Sequence, residues 1–148
     1  MTEQDAWTLV AQADHGVLSV IGVEGYPYGM PMNHVLVDGA LIFHGAVVGH
    51  RLDALRANPR ACFTVLAGPE EAADEVPPDS IGTYRSAILF GTLEEMPPEQ
   101  TTEALQALCR RYAPGRADDT AYFARYEGRV ALLRMTVAHI TGKRLLVT

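Results

Sequence analysis

Cysteine is scarce in this 148-residue chain: Cys62 and Cys109 are the only two, and they show no CxxC spacing. That excludes a disulfide scaffold and a thiolate metal centre, and it points to buried thiols in a reducing compartment. No apolar run approaches the roughly 20 residues that a membrane helix needs. The opening segment MTEQDAWTLV is acidic and lacks the basic and apolar regions of a secretory signal, so a cytoplasmic location is expected. Basic residues are few, with 12 Lys and Arg against 18 Asp and Glu and a net charge of −6. The adjacent pairs Arg110-Arg111 and Lys143-Arg144 form no stripe, which argues against nucleic acid as a partner. Neither a GxGxxG run nor an HExxH pattern is present, and no metal site is expected. Repeats and low-complexity segments are also missing. What remains is an ordinary globular composition, 48% hydrophobic and 20% charged, at a length that suits one domain.

Within that frame the turn and periodicity signals are clear. Thr2 is placed to cap a first helix, with Asp5 in its first turn and Trp7, Val10 and Ala11 on one face. Val17–Val23 reads as a buried strand closed by a tight turn at Glu24-Gly25. Tyr26–Val37 reads as one further strand, bent or at an edge, because Pro27 and Pro31 cannot donate to a ladder. Asp38-Gly39 is the strongest hairpin signal and pairs that strand with Ala40–His44. A small-residue bend, Gly45–Gly49, leads into a helix carrying Leu52 and Leu55, which Asn58-Pro59 stops. Arg60–Ala67 is a fourth strand, and Gly68–Gly82 an acidic, proline-bearing surface loop. Thr83–Glu94 is a fifth strand, with Gly91 as a bulge or close-approach point. Pro97-Pro98 opens a helix over Glu99–Tyr112, in which Ala104, Leu105, Leu108 and Cys109 recur at helical spacing. A weaker helical segment, Ala117–Tyr126, precedes a last strand over Arg129–Ile140 and a basic terminal turn, Thr141–Arg144. Six strands without βαβ alternation predict a mainly β fold, a six-stranded antiparallel barrel with peripheral helices.

The stretch LIFHGAVVGHRLDALRANP carries the strongest functional signal. A strand, a small-residue loop and a helix start make a good anion site, because free backbone N–H groups and the positive end of the helix dipole point outward. His50 and Arg51 stand at that helix start, where cations are unfavourable for the helix alone. A bound anion removes the conflict; the alternative is a solvated cationic turn.

The order PYGMPMNHVLVDGALIFHGAVVGHRLDALRANPRACFTV, then YRSAILFGTLEEM, then a final strand with TGK resembles the flavin-binding split-barrel superfamily. That is the fold of pyridoxamine 5′-phosphate oxidase, and the pattern is most similar to its nitroimidazole-resistance-type branch. The resemblance implies a homodimer of six-stranded split barrels holding FMN in grooves at the interface. It implies that the FMN phosphate is gripped at the positions of His50 and Arg51. It sets Met30, Pro31, Met32, Asn33, His34 and Val35 along the flavin ring, with backbone groups serving its polar edge and the methionines its apolar surface. Phe43, His44, Gly45 and Ala46 would bring backbone near the ribityl chain and phosphate, and Arg85 and Ser86 would lie against the flavin.

The implied activity is an FMN-dependent oxidoreductase that uses a small-molecule electron donor and passes electrons to small planar acceptors such as nitro compounds. His34 is the candidate proton donor, since imidazole titrates near neutral pH. The TGKRLLVT end lacks the C-terminal Arg/His motif of the oxidases, which argues against vitamin B6 as substrate. A related branch binds the deazaflavin F420, an alternative cofactor, and a flavin-binding sensor or store without turnover is the alternative function.

Overall fold

The N-terminal helix is set by its own first turn. Thr2 and Asp5 form a reciprocal capping box, each side chain bonded to the other's backbone N–H at 3.1 and 2.9 Å, and α1 runs Glu3–Gln12. Its buried face is Ala6, Leu9 and Val10; Trp7 is half-buried and Ala11, expected on that face, is exposed. The computed structural model describes residues 1–68, 84–126 and 128–145. The acidic loop expected over Gly68–Gly82 therefore lies, apart from Gly68, outside the described residues.

Among the described residues seven strands follow: β1 His15–Ile21, β2 Pro27–Asn33, β3 Val35–Val37, β4 Ala40–Ala46, β5 Arg60–Ala67, β6 Tyr84–Glu95 and β7 Val130–Leu145. All neighbouring pairs are antiparallel, in the order β2-β1-β5-β6-β7-β4-β3. The curled sheet is a split barrel with one strand more than expected. The extra strand arises at His34, where the segment expected as one strand divides. β2 pairs with β1 at one edge and β3 with β4 at the other. An edge position suits Pro27 and Pro31, whose missing N–H groups would break a central ladder.

The hairpin between β3 and β4 turns at Asp38 and Gly39, both with positive φ, 49° and 77°. That pair of angles defines the type I′ geometry that Asp-Gly favours. Between Phe90 and Gly91 the β6–β7 register shifts, so the expected bulge is present. A Cβ at Gly91 would strike the Thr136 carbonyl, which explains the glycine. The expected terminal turn is instead strand, because β7 stays paired with β6 as far as Leu145↔Tyr84.

Inside the curl, Leu18, Val20, Leu41, Phe43, Phe63, Val65, Ala87, Leu89, Leu133 and Met135 form the main core with the buried faces of α1 and α2. Helix α2, His50–Ala57, contributes Leu52, Ala54 and Leu55, and its far end is tied to β6 by an Arg56–Glu95 ion pair at 2.7 Å. Helix α3, Pro98–Tyr112, covers a second cluster of Ile42, Met96, Ala104, Leu108 and Leu132. A 3-10 turn, Pro114–Arg116, leads to the short α4, Thr120–Ala124, which seals Cys109, Ala117 and Phe123. Cys109 is buried, as expected; Cys62 is only half-buried, on the outer face of β5. Among the described residues no helix is long and apolar enough to cross a membrane.

Candidate anion and cofactor site

The barrel is split between β2 and β4, which approach each other without pairing. Arg51, in the first turn of α2, bridges that split. Its Nη2 donates to the Ala46 carbonyl on β4 at 3.1 Å, and its Nη1 points to the Met32 sulfur on β2 at 3.8 Å. The guanidinium lies flat over Gly45, where any Cβ would run into it. A side chain of ordinary size at position 45 would therefore close the cradle.

Arg51 is half-buried; among the described residues no carboxylate forms an ion pair with it, and its buried Nε has no hydrogen-bond partner. Burial lowers its pKa from the ordinary value, the direction expected when a cation loses water without gaining an anion. Gly49, with φ 128°, enters α2 with no side-chain cap; Leu52 and Asp53 donate to its carbonyl at 3.0 and 3.3 Å, which leaves the His50 and Arg51 N–H groups for another acceptor. The first turn of α2 thus supplies free backbone donors, the positive end of a helix dipole and an under-paired guanidinium. The phosphate end of a flavin nucleotide fits this donor set.

Around Arg51 the structure gathers several of the residues picked out in the sequence. Met32, Gly45 and Ala46 touch it directly. His44 is exposed on β4; partial burial, then the nearby Arg51 charge, lower its pKa and favour the neutral imidazole. His50 is turned away: its ring sits edge-on to Tyr28 at 4.8 Å and packs over Gly22. Arg51 is thus the member of the cationic pair that reaches into the split. Tyr28 and Gly22 were not assigned from sequence. The inward parity of Tyr28 with Met30 and Met32 along β2 is a signal for the first, and nothing marks the second.

Other expected contacts lie elsewhere. Met30 points inward onto the main core, while Pro31 and Asn33 are exposed on β2. Val35 packs beneath α3, and the Phe43 ring is fully buried against Phe63, so only its backbone borders the split. Arg85 and Ser86 sit on β6, with β1 and β5 between them and β2. That separation is three strand spacings, about 14 Å around the sheet.

His34 requires a correction. It is 0% exposed, its ring set between Phe63 at 4.8 Å and the Val10 carbonyl, which its Nε2 meets at 2.7 Å. Tyr112 secures the backbone at the same point, accepting from the His34 N–H at 3.1 Å and donating to its carbonyl at 2.7 Å. These bonds replace the ladder partners lost where β2 and β3 part. Burial lowers the imidazole pKa, so the ring is neutral and sealed from solvent. A proton-donor role in the split is not compatible with a ring that is 0% exposed and held against Phe63 and the Val10 carbonyl.

Comparison with known proteins follows the same lines. The family described as pyridoxamine 5′-phosphate oxidase matches residues 2–144. A solved structure of a candidate 5-nitroimidazole antibiotic resistance protein from Bacteroides thetaiotaomicron is similar, with TM-score 0.76 and 24% identity over 95% of this chain and 82% of that one. The FAD and heme binding protein of Mycobacterium smegmatis gives TM-score 0.77 and 23% identity, covering 97% of this chain and 71% of its own. An FAD-binding protein from Mesorhizobium loti gives TM-score 0.70 at 16% identity, over 96% and 94%. No curated protein shows significant sequence similarity.

Proposed function

The chain belongs to the pyridoxamine 5′-phosphate oxidase family, and from that premise we propose that it is an FMN-dependent oxidoreductase with the cofactor phosphate at Arg51. The observation that carries the reading is the half-buried Arg51 guanidinium, cradled by Gly45, with its Nε unpartnered. When bound, the flavin supplies hydride or single-electron transfer, chemistry that no protein side chain offers. Arg51 neutralises the phosphate, and the first-turn amides of α2 add donors beside it. Small planar acceptors such as nitro compounds suit a flat ring held in an open groove. The reducing equivalents come from a small-molecule donor that visits the same groove, since no GxGxxG segment holds a resident nicotinamide. With His34 sealed in the core, the accompanying proton comes from solvent.

A homodimer with the flavin between two copies belongs to the same reading. Support comes from the outer face of β1, β5 and β6, where Val17, Ile21, Leu66 and Phe90 are 40, 43, 69 and 44% exposed. The alternating positions between them are Ser19, Cys62, Thr64, Ser86 and Ile88, none of them charged. An apolar face of this kind marks an interface, and Ser86, an expected flavin contact, lies on it.

The test is the visible spectrum of the purified protein, with mass spectrometry of whatever it releases on denaturation. Flavin bands and released FMN are the expected result. A colourless protein that takes up no flavin overturns the reading, and released FAD or F420 corrects the cofactor. Oxidation of NAD(P)H with a nitroaromatic acceptor then separates an enzyme from a flavin store that never turns over.

A further inference from the structure

A second cavity, of about 490 Å³, lies between α3, α4 and the first residues of β7. Its walls are Val47, Met96, Leu105, Phe123 and Leu132, and hydroxyl and amide groups from Thr101, Thr102, Gln106 and Thr120 stand around them. Among the described residues that line it, Glu95 alone carries charge, and that carboxylate is already paired with Arg56 at 2.7 Å. We propose that this cavity binds a neutral, largely apolar small molecule, at a site distinct from the Arg51 cradle.

Three observations carry the assignment. The volume falls in the range, roughly 300–1,000 Å³, of pockets that hold drug-sized ligands. The described lining residues offer no cation, so an anionic ligand would lose its hydration without compensation. The cleft is open to solvent on one side, and its mixed apolar, hydroxyl and amide lining suits a flat molecule that buries one face and makes one or two hydrogen bonds. The cavity also shares a wall with the anion site. Val47 follows Ala46, whose carbonyl accepts from Arg51, and Val130 and Ala131 are the neighbouring-strand partners of Ala46 and Gly45. A molecule in the cavity thus lies beside the strand end that positions Arg51.

The test uses the full chain and Nile red, a neutral planar dye, with the anionic dye anilinonaphthalene sulfonate as contrast. Methyl-labelled methionine NMR reads the location. Nile red should bind saturably and move the Met96 methyl, leaving those of Met30, Met32 and Met135 in place. The anionic dye should bind at least about tenfold more weakly. Thr102→Trp and Ala124→Trp, both at exposed positions on the cavity wall, should each weaken Nile red about tenfold or more. Inorganic phosphate should instead move Met32, which touches Arg51, and its binding should survive both substitutions. A Met96 signal that Nile red leaves unmoved overturns the proposal, as does dye binding that both blocking variants leave intact. Loss of the phosphate response alone counts against the flavin reading and leaves the cavity standing.

Discussion

Replacing Gly45 by alanine adds one methyl group to the floor of the anion site and leaves every charged residue in the sequence. A Cβ there would collide with the Cζ and both Nη atoms of Arg51, the far end of a flexible side chain. The guanidinium must swing away, losing its 3.1 Å bond to the Ala46 carbonyl and its contact with the Met32 sulfur. One hydrogen bond at an exposed position costs about 0.5–1.5 kcal/mol. Alanine recovers about 0.4–1 kcal/mol of that by restricting the unfolded chain. The net change stays within about 1 kcal/mol, a Tm shift of roughly 2–4 °C for a chain this size. Binding should respond far more, because a displaced guanidinium forfeits a charge-assisted bond to phosphate of about 1.5–3 kcal/mol. FMN affinity should therefore fall roughly 10- to 150-fold. Gly91→Ala supplies the contrast. Its new Cβ meets the Thr136 backbone carbonyl, which has no side chain to swing, so β6 and β7 must separate locally. That should cost about 2–4 kcal/mol of stability. Flavin-fluorescence titration and thermal melts of both variants decide the matter. Wild-type FMN affinity in Gly45→Ala would refute Arg51 as the phosphate ligand. A melting loss as large as that of Gly91→Ala would show that the close packing at Gly45 is structural instead.

Three further outcomes are expected. Burial holds the His34 imidazole below its ordinary pKa of 6.5, so the unfolded chain takes up this proton first. Its contribution is therefore complete above pH 6.5 and declines on acidification, by up to about 1.4 kcal/mol per pH unit. Denaturant melts of the parent and His34→Leu across that range should show a shallower acid loss in the variant, and parallel curves would contradict the assignment. Tyr112→Phe removes the acceptor of the His34 N–H and the single O–H proton that the His34 and Asp14 carbonyls share, at 2.7 and 2.6 Å. A destabilisation of about 1–3 kcal/mol should appear as a lower urea midpoint at unchanged slope. Leu66→Glu places a charge on the outer face at a residue 69% exposed, so folding should be spared. Sedimentation should show a dimer for the parent and a monomer for the variant; identical masses would remove the interface from that face.

Much of the architecture is local in origin and was legible in the sequence. Asp38-Gly39 dictates its turn because both residues tolerate positive φ, and the structure gives both of them that sign. Thr2 and Asp5 make a capping box from groups three residues apart. Pro27 and Pro31 force β2 to an edge, and Gly91 marks the bulge. The strand, small-residue loop and helix start around Gly45–Arg51 were legible for the same reason, and they form as β4, a bend and α2.

What the sequence could not supply is which groups meet across the fold. Alternation alone placed His34 beside Met32 on one strand, but closing the barrel requires β2 and β3 to part at that residue. The bonds that permit the break come from Tyr112, 78 residues away, and from Val10 of α1. Such partners leave no trace in a local pattern, so a residue suited to proton transfer by type is a core residue by position. Phe43, Val35 and Arg85 diverge from Arg51 for the same reason: their neighbours are set by strand order and helix docking. By itself the sequence determined backbone geometry, strand edges and the strand–loop–helix turn before Arg51, because these follow from dihedral preference and hydrogen-bond supply within a few residues. Only the tertiary structure decided which imidazole is sealed and which guanidinium is left under-paired, because burial and charge pairing depend on contacts between distant parts of the chain.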